Sequence, residues 1–246
     1  MSATVEETRP DPQPIQGEVL GVDTGLSCFS VLSNGFPIPT PKFLLRRLKK
    51  LRRLSRNHSR KQLGSKNRQK SAFKLALFYK RVSDCRHDFL HKTSLTLAKN
   101  HSVLVLEDLY VKGLSMNKTQ SKYWQDLAHG EFQRLLRYKT RWYGSSLVSV
   151  PRFFPSSKLC SNCLWYHTEL TLKDRIFVCQ LCGLNLDRDL NAACNLVNYY
   201  QWNTPLLQPS VDSSCFSVAV SSLETLNACG ELVNPGLSGY DSMNQE

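Results

Sequence analysis

Residues 179–196 read CQLCGLNLDRDLNAACNL, a stretch that joins a cysteine pair directly to the start of a helix. Asp187 suits the N-cap position, where a carboxylate can accept hydrogen bonds from the first backbone N–H groups. Three later residues lie at i+3, i+4 and i+7 from Asp189 and share its face: Ala192, Ala193 and Leu196. Because alanines are small, this face can lie close to a sheet. The stretch therefore predicts a helix that directs Asp189 towards the ends of the strands.

A second cysteine pair lies upstream and completes the spacing of a zinc ribbon. The order is Cys160-x2-Cys163, then fifteen residues, then Cys179-x2-Cys182. Each pair forms a turn that directs two thiolates to one point, and Zn²⁺ prefers four such ligands in a tetrahedron. Four thiolates leave no open coordination position, so we expect a structural zinc that does no chemistry itself. His167 lies between the pairs, but four thiolates already complete the set.

Carboxylates follow the two most strand-like segments of the chain. Residues 18–23 (EVLGVD) end in Asp23, and the apolar run 103–106 (VLVL) is followed by Glu107 and Asp108. Acids at strand ends and at a helix start on one mixed sheet form a site of hard oxygen ligands. Such a site can hold two Mg²⁺ or Mn²⁺ ions about 4 Å apart for in-line phosphodiester hydrolysis. Taken singly, each acid could instead serve in a turn, at a helix start or as a cap.

The positive charge of the chain is concentrated in one segment. Residues 42–81 contain sixteen of the 32 Lys and Arg residues and no Asp or Glu, and the whole chain has a formal net charge of +12. A block of one sign favours a nucleic-acid partner, because a solvated helix face normally mixes both signs. A solvated basic helix and a contact with a membrane surface are the alternatives. The candidate phosphate-binding residues are Arg46, Arg47, Lys49, Lys50, Arg52 and Arg53.

The remaining pattern predicts a small sheet with helices around it. Asn34-Gly35 lies between two strand-like runs and predicts a hairpin in which both turn residues adopt positive φ. Helical spacing starts near Leu44, breaks near Gly64, resumes to about residue 82 and starts again over about 84–99. The last predicted elements are a helix over 121–142 with Gly130 as its weak point, a strand over 145–150 and a helix over about 190–200. This order predicts a mixed α/β fold in which helices flank one sheet.

Composition excludes several classes of protein. Hydrophobic residues make up 41% of the 246 residues, enough to bury a core. No apolar run reaches the ~18 residues of a membrane helix. Residues 1–16 lack the basic and apolar regions of a secretory signal, so we expect a cytoplasmic, nucleoid-associated protein. In a reducing compartment the nine cysteines are expected as metal ligands or thiols rather than as disulfides.

Seven motifs together resemble the TnpB proteins, a family of transposon-associated, RuvC-like DNA nucleases that are guided by RNA and related to type V CRISPR effectors. They are GVDTGL (21–26), LSNG (32–35), SKNRQKSAFKLA (65–76), VLEDLYVKGL (105–114), HGEFQRLLRYKTRWYG (129–144), PSSKLCSNC (155–163) and CQLCGLNLDRDLNAACNL (179–196). The resemblance runs from about residue 18 to about residue 200, and NACGE (227–231) is similar to the tail of many members.

The resemblance implies an RNase H-like fold: α/β, with a mixed sheet, flanking helices and an inserted four-cysteine zinc ribbon. It implies that Asp23, Glu107 and Asp189 are the catalytic acids, with Glu107 chosen over Asp108, and that the four paired cysteines hold zinc. We expect the following organisation: a flexible leader over 1–17, a nuclease domain over 18–157 and 187–202 with a basic helical segment over 42–82, a target-nucleic-acid-binding zinc ribbon over 158–186, and a disordered tail over 203–246.

The expected function is that of a metal-dependent DNA endonuclease of transposon origin, with DNA and a guide RNA as partners and Mg²⁺ or Mn²⁺ as the catalytic ion. Family members carry a long N-terminal half that reads a target motif and holds much of the guide RNA. Here about 17 residues precede the first catalytic strand, so we expect the nuclease half alone. The alternatives are a catalytically silent nucleic-acid-binding zinc protein and an inactive transposase remnant.

Overall fold

A five-stranded mixed sheet organises the part of the chain that the computed structural model describes, residues 11–116, 118–171 and 173–204. Its strands are β1 (Val19–Thr24), β2 (Cys28–Leu32), β3 (Pro37–Pro39), β4 (Val103–Glu107) and β5 (Ser146–Val150). They lie side by side in the order β3-β2-β1-β4-β5. The β1–β2 and β2–β3 pairs are antiparallel, whereas β1, β4 and β5 run parallel.

Helices cover both faces of this sheet, as the sequence predicts. They are α1 (Leu48–Ser59), α2 (Lys66–Asn100), α3 (Val111–Met116), α4 (Ser121–Leu127), α5 (His129–Tyr143) and α6 (Arg188–Asn203), with a 3₁₀ turn over Leu45–Arg47. On one face, side chains of α2 and α5 pack against Leu104 and Leu106 of β4. On the other face, Leu196 of α6 packs against Val105. β4 is therefore buried on both faces, which explains its unbroken apolar run.

A small two-stranded unit lies between β5 and α6. Its strands are β6 (Ile176–Val178) and β7 (Asn185–Asp187), which pair antiparallel, and an isolated bridge joins Leu159 to Tyr166. Cys160, Phe177 and Cys179 form its buried centre. So few buried residues would not fold alone without a further constraint such as a bound metal.

The helical region after Gly64 is a single element, so the predicted break between residues 82 and 84 is wrong. α2 continues through this point to Asn100. Asp84 does not cap a new helix but pairs with Lys80, one turn earlier, at 3.1 Å. The predicted break near Gly64 is confirmed: Gly64 has φ +76, and the Ser65 side chain accepts a hydrogen bond from the third residue of α2.

The turn between β2 and β3 differs in detail from the prediction. The Asn34-Gly35 hairpin forms, but within it only Gly35 has a positive φ, and Leu32 N–H bonds to Phe36 O at 3.1 Å. This is a three-residue loop with a left-handed glycine rather than a two-residue turn.

The predicted helix over 121–142 breaks at Ala128, which has φ 53, and not at Gly130. Left-handed alanine costs about 1 kcal/mol, which the burial of Leu127 and its neighbours must outweigh.

The N-terminal end of the described chain lies beside the residues that lead into β4 and β5. Ile15 N–H donates to Gly144 O at 3.1 Å, and the Ser102 hydroxyl donates to Gly17 O. The last part of the predicted leader therefore has defined partners, while residues 1–10 lie outside the described residues. The predicted tail also lies outside them, apart from residues 203 and 204 at the end of α6. In the described ranges, no helix combines the length and apolar character that a membrane crossing needs.

Candidate metal sites

Two of the predicted acids lie at adjacent strand ends. The parallel register pairs Val22 of β1 with Leu106 of β4, so Asp23 and Glu107 occupy the next position on each strand. Side chains alternate between faces, which places both acids on the face opposite Val22 and Leu106. That is the face that α6 covers. Both residues are partly buried.

Close contact between α6 and β1 brings the third acid to the same edge. A Cβ added to Gly21 would lie 2.0 Å from the carbonyl oxygen of Ala193, so the helix and strand backbones touch. Asp187 caps α6, accepting from the N–H groups of Asp189 at 3.0 Å and Leu190 at 3.1 Å, as the sequence predicts. Asp189 thus lies in the first helical turn, beside the strand ends.

The electrostatics at this edge show that the charges of Glu107 and Asp189 act on Asp23. Burial, reinforced by the charges of Glu107 and Asp189, raises the pKa of Asp23 to about 7. Burial, with a contribution from Asp108, raises the pKa of Glu107 to about 7. Two arginines accompany Asp189: Arg188 lies 2.9 Å and Arg175 3.8 Å from its oxygens. Two carboxyl groups that are costly to ionise, with Asp189 nearby, form a donor set suited to a hard divalent cation.

Asp108 lies in a different environment from Glu107, although the two are adjacent in sequence. Its side chain is 56% exposed and pairs with Arg152 at 3.0 Å, while its backbone N–H donates to Val150 O. The exposed ion pair directs this carboxylate to solvent, whereas the Glu107 carboxyl lies near Asp23.

The four paired cysteines converge as their spacing predicts. Their sulfurs all lie within 4.8 Å of one another, with Cys160 3.6 Å from Cys182 and Cys163 3.4 Å from Cys179. Thiolates about 2.3 Å from a tetrahedral zinc would lie about 3.8 Å apart, so the cluster fits the ion. His167 is outside this cluster; its ring packs between Trp165 and Phe177.

The thiols of this cluster differ in their acidity. Burial raises the pKa of Cys163 to about 12, whereas hydrogen bonding from the Leu184 backbone lowers the pKa of Cys182 to about 6. The Cys163 thiol therefore needs a neighbouring cation in order to ionise, which is what a bound metal supplies.

Asparagines on α6 attach the cysteine unit to this helix, a feature that the sequence analysis missed. The Asn191 amide donates to Leu159 O at 2.6 Å, and its carbonyl accepts from Ser161 N–H at 3.0 Å. Asn195, one turn later, donates to Leu159 O and to Ser156 O, both at 2.7 Å. Both asparagines are fully buried. The same helix therefore holds the chain on both sides of Cys160 and carries Asp189 at its start.

The basic segment presents the six candidate phosphate-binding residues to solvent. All six are exposed on the 3₁₀ turn and α1, and none of the residues of α1 is buried.

The basic segment is anchored by Asp126, which the sequence analysis also missed. This buried carboxylate accepts from Leu44 N–H at 3.1 Å and pairs with Arg86 at 3.0 Å. The anchor holds the start of the segment against α2 and α4.

Comparisons with known proteins agree with this organisation. A family model described as "Probable transposase" matches residues 2–118, and one described as "Cas12f1-like, TNB domain" matches residues 129–196. A Streptomyces pristinaespiralis protein, named as an RNA-guided DNA endonuclease, is 40% identical over 186 residues, covering 76% of this chain and 46% of that protein. A Mycobacterium tuberculosis protein named in the same way is 36% identical over 191 residues, covering 73% and 41%.

A solved structure shares the fold at low sequence identity. The Cas12f1 chain of a complex with single guide RNA and target DNA matches with a TM-score of 0.54 and 18% identity, over 78% of this chain and 51% of that chain. The chain spans about half the length of the curated relatives it matches. Its mixed sheet, four-cysteine cluster, motifs and family matches lead to one conclusion: the chain belongs to the TnpB family of transposon-associated proteins.

Proposed function

We propose that this chain is the nuclease part of an RNA-guided DNA endonuclease and hydrolyses phosphodiester bonds with a divalent metal. The observation that carries the proposal is the adjacent strand-end position of Asp23 and Glu107 on the face covered by α6, the helix that carries Asp189. These side chains would hold Mg²⁺ or Mn²⁺. The ion, when bound, supplies a Lewis acid that activates water and stabilises the leaving oxygen.

The chain's own groups have separate roles in this proposal. Asp23 and Glu107 bind the cation as carboxylates. Because their pKa values are raised to about 7, they ionise only as the pH approaches 7 or when a cation is present. Arg175 and Arg188 add positive charge at the same edge and can contact a phosphate group. Asp108 takes no part, because it pairs with Arg152 in solvent.

The remaining proposed roles concern binding and organisation. Zinc at the four-cysteine cluster is structural, and residues 158–186 form its module within a nuclease domain over 18–157 and 187–202. The exposed basic side chains of α1 contact the phosphates of DNA or of a guide RNA without reading sequence. The protein would act in the cytoplasm, at the nucleoid.

Cleavage of labelled single-stranded DNA tests the proposal. The full chain, with and without co-expressed RNA, is incubated with Mg²⁺ or Mn²⁺, and EDTA is the control. We expect divalent-ion-dependent cleavage, which a family N-terminal half supplied in trans should increase. Binding without cleavage by the complemented chain in both ions would favour the catalytically silent nucleic-acid-binding zinc protein or an inactive transposase remnant.

A further inference from the structure

Helix α5 contacts backbone carbonyl groups at or just after two of the acids, Asp23 and Glu107. It lies on the opposite face of the sheet from α6. His129 Nε2 lies 3.2 Å from Gly25 O, two residues after Asp23. Gln133 Nε2 donates to the backbone oxygen of Glu107 itself at 3.3 Å. His129 and Gln133 are four residues apart in one helix, so the same helical face makes both contacts.

The His129 side chain is fixed in one orientation. A carbonyl oxygen can only accept, so Nε2 carries the hydrogen that Gly25 receives. The ring is 1% exposed and stacks on Phe29 with centroids 4.9 Å apart, and Trp124 lies on another side at 5.5 Å. Its Nδ1 has no hydrogen-bond partner among the described residues. Burial of this imidazole costs free energy because Nδ1 is unpaired within the described part of the chain. The bond from Nε2 to Gly25 O offsets only part of that cost.

Helix α5 is a rigid base for these two contacts. Phe132, Leu135 and Leu136 are fully buried in the core on this side of the sheet. The turn that follows Asp23 is closed by Gly25 N–H bonding to Phe29 O at 3.3 Å. On the other strand, Leu109 N–H donates to Glu107 O at 3.0 Å beside the Gln133 amide. Helix α5 therefore binds the Gly25 carbonyl in the turn after Asp23 and the carbonyl of Glu107 itself.

We propose that His129 and Gln133 are positioning residues that fix the separation of Asp23 and Glu107 by restraining the backbone at both strand ends. The inference rests on the proposed function, because it assumes that these acids share a divalent ion. A metal site requires its ligands within a few tenths of an ångström of their places, and loss of supporting hydrogen bonds typically lowers metal affinity 10–100-fold. α5 therefore sets the ion affinity without touching the ion.

Affinity for Mn²⁺, titrated into the full chain after EDTA treatment and zinc reloading, tests the proposal. Gln133→Leu and His129→Phe remove the donors but keep much of the volume, and we expect each to weaken Mn²⁺ binding about tenfold. His129→Gln, whose amide can reach the position of Nε2, should restore most of the affinity. Gln69→Leu, an exposed position on α2, is the matched control and should bind Mn²⁺ like the wild type. Zinc content should be the same in all variants.

Amide hydrogen exchange distinguishes the two ways in which this can fail. Gln133→Leu and His129→Phe should increase exchange over residues 23–29 and 107–109 but not in the cysteine unit. Wild-type chain that binds no Mn²⁺, with faster exchange in the variants, would refute the proposed metal site and leave the restraint standing. Unchanged Mn²⁺ affinity, or unchanged exchange in both variants, would overturn the positioning role.

Discussion

Gly21→Ala tests the close approach of β1 and α6 on which the candidate metal site depends. The new Cβ would lie 2.0 Å from Ala193 O and 3.1 Å from a methyl group of Val197. Ordinary contact begins at 3.4 Å, and the oxygen belongs to the helix backbone, which cannot rotate away. α6 must therefore move outward by about 1 Å or more, and overpacking of this kind typically costs 1–3 kcal/mol. We expect a loss of about 3 kcal/mol in the free energy of unfolding.

The displacement should also change the site, because α6 carries Asp189. A shift of about 1 Å at a reacting group can lower a rate 100-fold, so DNA cleavage should fall further than stability explains. Urea unfolding followed by circular dichroism gives the first quantity, and cleavage under conditions where the variant is folded gives the second. Gly130→Ala is the control: a Cβ there meets nothing within 4 Å, and the helix should gain up to about 1 kcal/mol. Gly21→Ala with wild-type stability and cleavage would refute the close approach.

Three further predictions follow from the metal sites and the basic segment. Purified chain should contain one zinc by elemental analysis and Cys179→Ser none; a folded wild type without zinc would contradict the assignment of the four cysteines as zinc ligands. The contribution of Asp23 and Glu107 to stability should fall as the pH rises from about 4 through 7, because their raised pKa values make the folded state bind protons more tightly than the unfolded state. After EDTA treatment and zinc reloading, the melting temperature should therefore be several degrees lower at pH 8 than at pH 5.5. Asp23→Asn should reduce that difference; equal pH dependence in both proteins would refute the prediction. Binding to duplex DNA should weaken with salt, with a slope of about −0.9 per phosphate contact in a plot of log affinity against log salt concentration. The magnitude of this slope should decrease, whatever the DNA sequence, when four side chains are changed to Glu: Arg46, Arg47, Lys49 and Lys50.

Features written in short stretches of the chain were predictable. The N-cap Asp187, the α6 face that carries Asp189 and the two cysteine pairs each depend on residues within one turn or one knuckle. Their geometry follows from spacing alone. The basic character of α1 is equally local, because no acidic residue interrupts it.

Features made by long-range contacts were not predictable from local patterns. Asp126, His129 and Gln133 reach partners 26 to 104 residues away, and nothing in their neighbouring sequence indicates those partners. The asparagines of α6 gave a partial signal, since polar residues beside Ala192 and Ala193 on a helix need hydrogen-bond partners when buried. The continuity of α2 likewise accords with packing, because Val82 and Leu90 are buried on either side of the predicted break between residues 82 and 84.

The central claim is that Asp23, Glu107 and Asp189 act as one metal site. Its most direct test is the rate of Mg²⁺-dependent DNA cleavage, with the family N-terminal half and guide RNA supplied, in four single variants. Asp23→Ala, Glu107→Ala and Asp189→Ala should each abolish cleavage while leaving DNA binding largely intact, whereas Asp108→Ala should retain most of the rate. Cleavage that survives loss of any of the three acids, or that disappears with Asp108→Ala and not with Glu107→Ala, would contradict the claim.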